Sequence, residues 1–166
     1  MNNEMLAEKV GQALKAHGLM MTAAESCTGG GVAYAVTAIA GSSEWFERGF
    51  VTYTNQSKQE MLGVSTETLV AHGAVSEATV AEMAIAALQK SDAQLSLAIS
   101  GIAGPGGATA DKPVGMVCFA WGYGGGSPYT EVKFFKGDRT AVREQSIAYG
   151  LEGILRCLAR NSTGKI

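Results

Sequence analysis

The sequence predicts an α/β fold, a three-layer α/β/α sandwich built on a mixed β-sheet. Helical and strand-like segments alternate from the N-terminus to Ser100, and two strand-like runs, 114–121 and 129–135, then follow one another as a hairpin pair. Alternation calls for parallel strands joined by helical crossovers, while a late hairpin adds antiparallel strands to the same sheet. A chain of 166 residues is sized for one domain. It can bury roughly two-thirds of its unfolded surface, so it needs no metal or disulfide to hold it. The expected domain spans 1–160, with 161–166 as a flexible tail.

Each element has a local reason. Leu6, Val10 and Leu14 recur every fourth residue and Gly18 follows as a stop, which predicts an amphipathic helix over 3–17. The apolar run 19–24 is then a short buried strand. From Gly29 to Ala40 small residues dominate, and Gly41 is placed to terminate that helix. The alternating, β-rich run 50–54 reads as a strand ending at Asn55. A short helix is expected over 57–62, and Ser65 caps another that runs to Val70. Ser76 is a good N-cap for a helix carrying Val80, Met83, Ala84, Ala87 and Leu88 on one face. A strand over 95–100 runs straight into a glycine loop, 101–107. After the hairpin, Asp138 caps a long helix with Ile147, Leu151, Ile154 and Leu158 as its apolar stripe.

Composition narrows the function. Thirteen basic side chains face fifteen acidic ones, which is no basic stripe for nucleic acid. No apolar stretch reaches the ~20 residues of a spanning helix, so no membrane partner is expected. The three cysteines are odd in number and far apart, and the two histidines, His17 and His72, have no metal-ligand spacing. No metal and no cofactor are expected. The first residues lack a basic region followed by an apolar core, and unpaired cysteines suit a reducing compartment, so the expected location is cytoplasmic. Glycine is the outlier, with 22 residues, about twice average usage.

The most informative segment is Ala-Glu-Ser-Cys-Thr-Gly-Gly at 24–30. Ser26, Cys27 and Thr28 lie at a strand-to-helix corner, beside backbone N–H groups able to hold an anion or an oxyanion; on the heptapeptide alone, Ser and Thr as simple helix caps fit equally well. A nucleophilic serine needs a base, and neither histidine is placed to serve. Lys58 lies just beyond the 50–54 strand, near Tyr53, and ends of neighbouring strands converge on one crevice. By spacing alone Lys58 reads as a solvated helix lysine rather than as a base. Cys27 is an alternative nucleophile, because a thiol at a helix N-terminus is activated. The glycine loop, with Gly101, Ala103 and Gly104, matches neither a Walker loop nor a dinucleotide fingerprint. Its backbone can nonetheless approach a substrate closely. Arg139 and Arg143 share a helix face at i, i+4 and form a pair suited to phosphate or a solvated charge pair.

Together with Gly-Ser-Ser-Glu-Trp-Phe (41–46), Gly-Phe-Val-Thr-Tyr-Thr-Asn (49–55), Gly-Ala-Val-Ser-Glu (73–77), Ser-Gly-Ile-Ala-Gly-Pro-Gly-Gly (100–107) and Lys-Pro-Val-Gly (112–115), the heptapeptide resembles the CinA C-terminal domain family. The resemblance runs from about Leu6 to Tyr149 and is nearest to stand-alone bacterial members that are nicotinamide-nucleotide amidases. It implies hydrolysis of the carboxamide of nicotinamide mononucleotide, giving nicotinate mononucleotide and ammonia in the recycling of pyridine nucleotides. It also implies a serine nucleophile, a lysine base and a nearby tyrosine, which fall on Ser26, Lys58 and Tyr53. Thr28, Gly29, Gly30, Gly101, Ala103, Gly104, Arg139 and Arg143 are then the candidates for binding the substrate. A homo-oligomer is implied too. Two-domain members carry a molybdopterin-binding-like N-terminal domain whose activity is not carried over. A non-catalytic nucleotide-binding module and a thiol hydrolase using Cys27 are the alternatives.

Overall fold

The computed structural model describes residues 1–162. Its sheet has five strands in the order β2-β1-β3-β4-β5: β1 (Met21–Glu25), β2 (Phe46–Val51), β3 (Leu95–Gly101), β4 (Met116–Tyr123) and β5 (Tyr129–Phe134). β1 pairs in parallel with both β2 and β3, while β4 and β5 join as the antiparallel hairpin. The expected mixed sheet is present.

Helices cover both faces. α1 (Asn3–His17), α2 (Gly31–Thr37) and α6 (Arg139–Ser162) pack on one, and α5 (Glu77–Gln89) packs on the other, flanked by α3 (Asn55–Leu62) and α4 (Thr66–His72). The two faces differ in grain. Met21, Leu97, Ile99, Phe119 and Trp121 meet the three-helix layer, whereas Ala24, Ala98, Cys118 and Ala120 meet α5. Small side chains on the second face let α5 lie close to the strands, near enough for Ser96 Oγ to donate to the Ala84 carbonyl at 2.8 Å.

The connection leaving β1 runs through α2 over one face to reach β2. The return from β2 to β3 runs through α3, α4 and α5 over the other. The carboxyl ends of β1 and β3 therefore border a crevice that neither connection covers, which is where ligands bind in open α/β sheets.

Several boundaries differ from expectation. β2 begins at Phe46 and ends at Val51, rather than covering 50–54. Glu47, Arg48 and Gly49 hide it from pattern reading, but an edge strand tolerates them because one side faces water. Thr54 leaves the sheet to form a capping box with Ser57, so α3 starts at Asn55. α2 is shorter than 29–40 because Gly29 and Gly30 hold positive φ (60° and 98°) before its first turn. α6 reaches Ser162, two residues into the expected tail, and Asn161 Nδ2 donates to the Tyr123 hydroxyl. The rest of that stretch lies outside the described residues.

One close contact sets the helix-to-sheet distance. Trp121 Nε1 donates to the Gly150 carbonyl at 2.9 Å, and the indole lies against Gly153. A Cβ at Gly153 would sit 2.0 Å from Trp121 Cε2, inside any allowed contact. Gly153→Ala should therefore destabilise the fold by about 2 kcal/mol through overpacking, against an expected gain of about 1 kcal/mol from helix propensity alone. Urea unfolding distinguishes the two signs.

Candidate active site

β1 ends at Glu25, and the chain turns sharply through 26–30 into α2. Glu25 is 1% exposed, and its carboxylate accepts from Thr28 Oγ1 at 2.7 Å and from the amides of Val32 and Ala33 at 2.8 and 3.0 Å. These donors stand in for water around a buried charge. They also satisfy amides in the first turn of α2, which no Gly30 side chain could cap. The turn is thus tied at both ends, and Ser26 sits at its start. The Ser26 amide donates to the Ile99 carbonyl at 3.0 Å, extending the β1–β3 ladder one residue beyond the strand.

Lys58 reaches this point from the first turns of α3. It is a fully buried lysine, 1% exposed, whose Nζ donates to Ser26 Oγ at 2.9 Å and to the Thr52 carbonyl at 2.8 Å. No carboxylate pairs with it among the described residues. Burial disfavours the ammonium form and lowers the lysine pKa from 10.5 to about 8. The same burial acts in reverse on the neighbouring thiol and raises Cys27 to about 11.

Ser26, Lys58 and Tyr53 line one crevice of about 240 Å³ with Gly101, Ala103, Gly104 and Arg139. The Tyr53 hydroxyl accepts from Arg139 Nη2 at 2.8 Å, and Arg139 Nη1 donates to the Gly104 carbonyl at 2.8 Å. Arg139 thereby bridges the end of β2 to the glycine loop across the mouth of the crevice, leaving the tyrosine hydroxyl engaged with the arginine rather than with Lys58.

Thr28, Gly29, Gly30 and Arg143 fall elsewhere. They line a larger cleft of about 530 Å³ on the far side of the turn, together with Tyr34 and Ile147. That cleft contains neither Ser26 nor Lys58, so its size does not make it the reactive centre. The Thr28 hydroxyl is spent on Glu25, and the Gly29 amide donates to the Ser26 carbonyl at 3.0 Å. Arg143 donates to the carbonyls of Cys27 and Thr28 at 3.1 and 3.2 Å, bracing the turn from behind. The amides of Cys27 and Thr28 donate to no other residue among those described.

Sequence reasoning missed Glu25 as the anchor of this turn. Its only signal is position, a carboxylate at the end of a buried strand one residue before the candidate nucleophile. No group of three or more His, Cys, Asp or Glu side chains could hold a metal ion among the described residues, and no helix among them is long and apolar enough to cross a membrane.

Comparison with known proteins places this geometry in a family. The nicotinamide-nucleotide amidohydrolase PncC of Escherichia coli K12 is 55% identical over 157 residues, covering 95% of each chain. The PncC of Pseudomonas putida is 45% identical, covering 91% of this chain and 94% of its own. The crystal structure of the competence/damage inducible protein CihA from Agrobacterium tumefaciens superposes with a TM-score of 0.90 at 45% identity, covering 96% of each chain. The CinA C-terminal domain family matches residues 3–158, and this chain belongs to it.

Proposed function

We propose that the chain is a nicotinamide-nucleotide amidohydrolase that converts nicotinamide mononucleotide and water to nicotinate mononucleotide and ammonia, in the recycling of pyridine nucleotides in the cytoplasm. The observation that carries this reading is the buried Lys58 Nζ at 2.9 Å from Ser26 Oγ, in a chain 55% identical to a protein so named.

The crevice supports a covalent route. Neutral Lys58 takes the Ser26 proton as Ser26 Oγ attacks the carboxamide carbon. The oxyanion that forms is held by the backbone amide of Cys27, with that of Thr28 behind it. A preorganised donor of this kind contributes on the order of 3 kcal/mol. Protonated Lys58 returns its proton to the departing nitrogen, and ammonia leaves a nicotinoyl ester on Ser26. Water then attacks that ester, losing a proton to Lys58, which passes it to Ser26 Oγ as the ester bond breaks and the acid is released. A lysine near pH 8 suits both halves, because it gives up and regains a proton near neutral pH. Arg139 and the backbone of the Gly101–Gly104 segment form the wall that the ribose phosphate meets, and Tyr53 lines the entrance. The thiol alternative is disfavoured because desolvation keeps Cys27 protonated at any physiological pH.

The direct test is incubation of purified protein with nicotinamide mononucleotide, with detection of ammonia and nicotinate mononucleotide. Ser26→Ala should abolish ammonia release, while Cys27→Ala should retain most of it; the reverse pattern would establish the thiol.

Lys58→Ala should lose at least about a hundredfold in turnover. In the wild type, kcat/KM should rise about tenfold per pH unit and level off above about pH 8. A profile flat from pH 6 to 9 would overturn the base assignment.

The same lysine has a stability signature. Below about pH 8 both folded and unfolded states are protonated, and the folded state bears the full cost of the buried charge. Between about 8 and 10.5 the folded lysine is neutral while the unfolded one still binds a proton, so stability rises with pH. Relative to Lys58→Met, the wild type should gain about 3 kcal/mol across that window. Urea titrations of both proteins at pH 7 and pH 10 measure the difference.

A further inference from the structure

We infer that the Ser100 hydroxyl is a substrate-recognition group that accepts a hydrogen bond from the carboxamide nitrogen and so selects amides over esters at Ser26. The inference rests on the amidase reading and adds a residue to it.

Ser100 follows Ile99 on β3 just as Ser26 follows Glu25 on β1, and Glu25 and Ile99 are register partners. The Ser26 amide donates to the Ile99 carbonyl, so the two serines lie side by side at the carboxyl ends of adjacent parallel strands. Side chains alternate along a strand. Ile99 belongs to the three-helix layer and Ala98 to the α5 layer, which puts Ser100 on the α5 side, where Lys58 reaches Ser26.

Ser100 is 1% exposed and lines the Ser26–Lys58 crevice. Its hydroxyl has no hydrogen-bond partner among the described residues, and it is not among the side-chain atoms sealed from solvent without one. What little surface it has opens into the crevice. Ser96 makes the contrast. It is the same residue type on the same face of the same strand, and α5 satisfies it through the Ala84 carbonyl. At Ser100 the fold offers no such acceptor or donor. A buried hydroxyl left unpaired is costly, and an alanine would fill the position without that cost. The missing partner is supplied by whatever enters the crevice.

The chemistry of that partner follows from the surroundings. The opposite wall offers the unengaged Cys27 amide, a donor suited to a carbonyl oxygen, while Ser100 Oγ offers lone pairs. A primary carboxamide matches both, its oxygen toward the amide and its N–H toward Ser100, with its carbon over Ser26. An ester places an alkoxy oxygen, which carries no hydrogen to donate, at the Ser100 side.

The experiment compares wild type and Ser100→Ala on nicotinamide mononucleotide and on the methyl ester of nicotinate mononucleotide. Ser100→Ala should lose about tenfold or more in kcat/KM on the amide, the equivalent of one hydrogen bond, while keeping ester hydrolysis within about twofold. Retained ester turnover also reports an intact Ser26–Lys58 pair. A parallel fall on both substrates would show a merely structural serine and overturn the inference, as would an unchanged rate on both. A wild type inert toward both substrates would instead overturn the amidase reading, and this inference with it.

Discussion

The Glu25 carboxylate accepts from Thr28 Oγ1 and from the amides of Val32 and Ala33, and this contact fixes how β1 gives way to α2. A strand-to-helix turn at the edge of a buried sheet leaves amides at the helix start without partners, and here one buried anion collects two of them. Because Glu25 is also the last residue in register with Val51 and Ile99, the turn cannot shift without disturbing the sheet. Ser26 is therefore placed by strand register, not by loop packing. Arg143 braces the same turn through the Cys27 and Thr28 carbonyls, so these acceptors are engaged while the amides of the same two residues donate to no other residue among those described.

Burial sorts the reactive groups around that turn. Taking a group out of water disfavours its charged form whichever sign it carries. For Lys58 this means a neutral amine within reach of physiological pH, and for Cys27 it means a protonated thiol. One environment thus favours the neutral form of both groups, the form the proposed base needs and the form in which a thiol is a poor nucleophile. It works because the neighbouring protein groups that hydrogen-bond Lys58 are neutral, a hydroxyl and a carbonyl. A carboxylate in contact would have held the proton on Lys58.

How much of this was legible in the sequence varies with the range of the interactions. The nucleophile turn was legible because its signals are contiguous: an apolar run, hydroxyls, then glycines. The glycine loop after β3 was legible for the same reason. Lys58 was not, since a lysine among Asn55, Gln56, Ser57, Gln59 and Glu60 has the local pattern of a solvated helix. Its burial comes from β2 ending at Val51 and from Thr54 starting α3 early, and that boundary was itself hidden by charged residues on an edge strand. Family resemblance, not spacing, pointed to it. The i, i+4 relation of Arg139 and Arg143 was read correctly as a shared face, but what they touch is tertiary. The two side chains part, one to each side of the turn, so a pair adjacent on the helix serves two different clefts.

That division bears on how the crevice and the larger cleft relate. They share no lining residue, but they meet at the turn, where Cys27 lines the crevice and its neighbour Thr28 lines the cleft. The crevice holds Ser26 and Lys58 in a volume of about 240 Å³. The larger cleft is lined by Gly31, Ala35, Ala38 and Ile147 together with Glu4, Tyr34, Arg143 and Glu144, but by neither Ser26 nor Lys58. Volume alone would choose the wrong cavity. What distinguishes the crevice is the presence of groups that the fold buries at a cost, a lysine with uncharged partners and an unsatisfied serine, both facing the same space. Groups buried at such a cost cluster at functional sites.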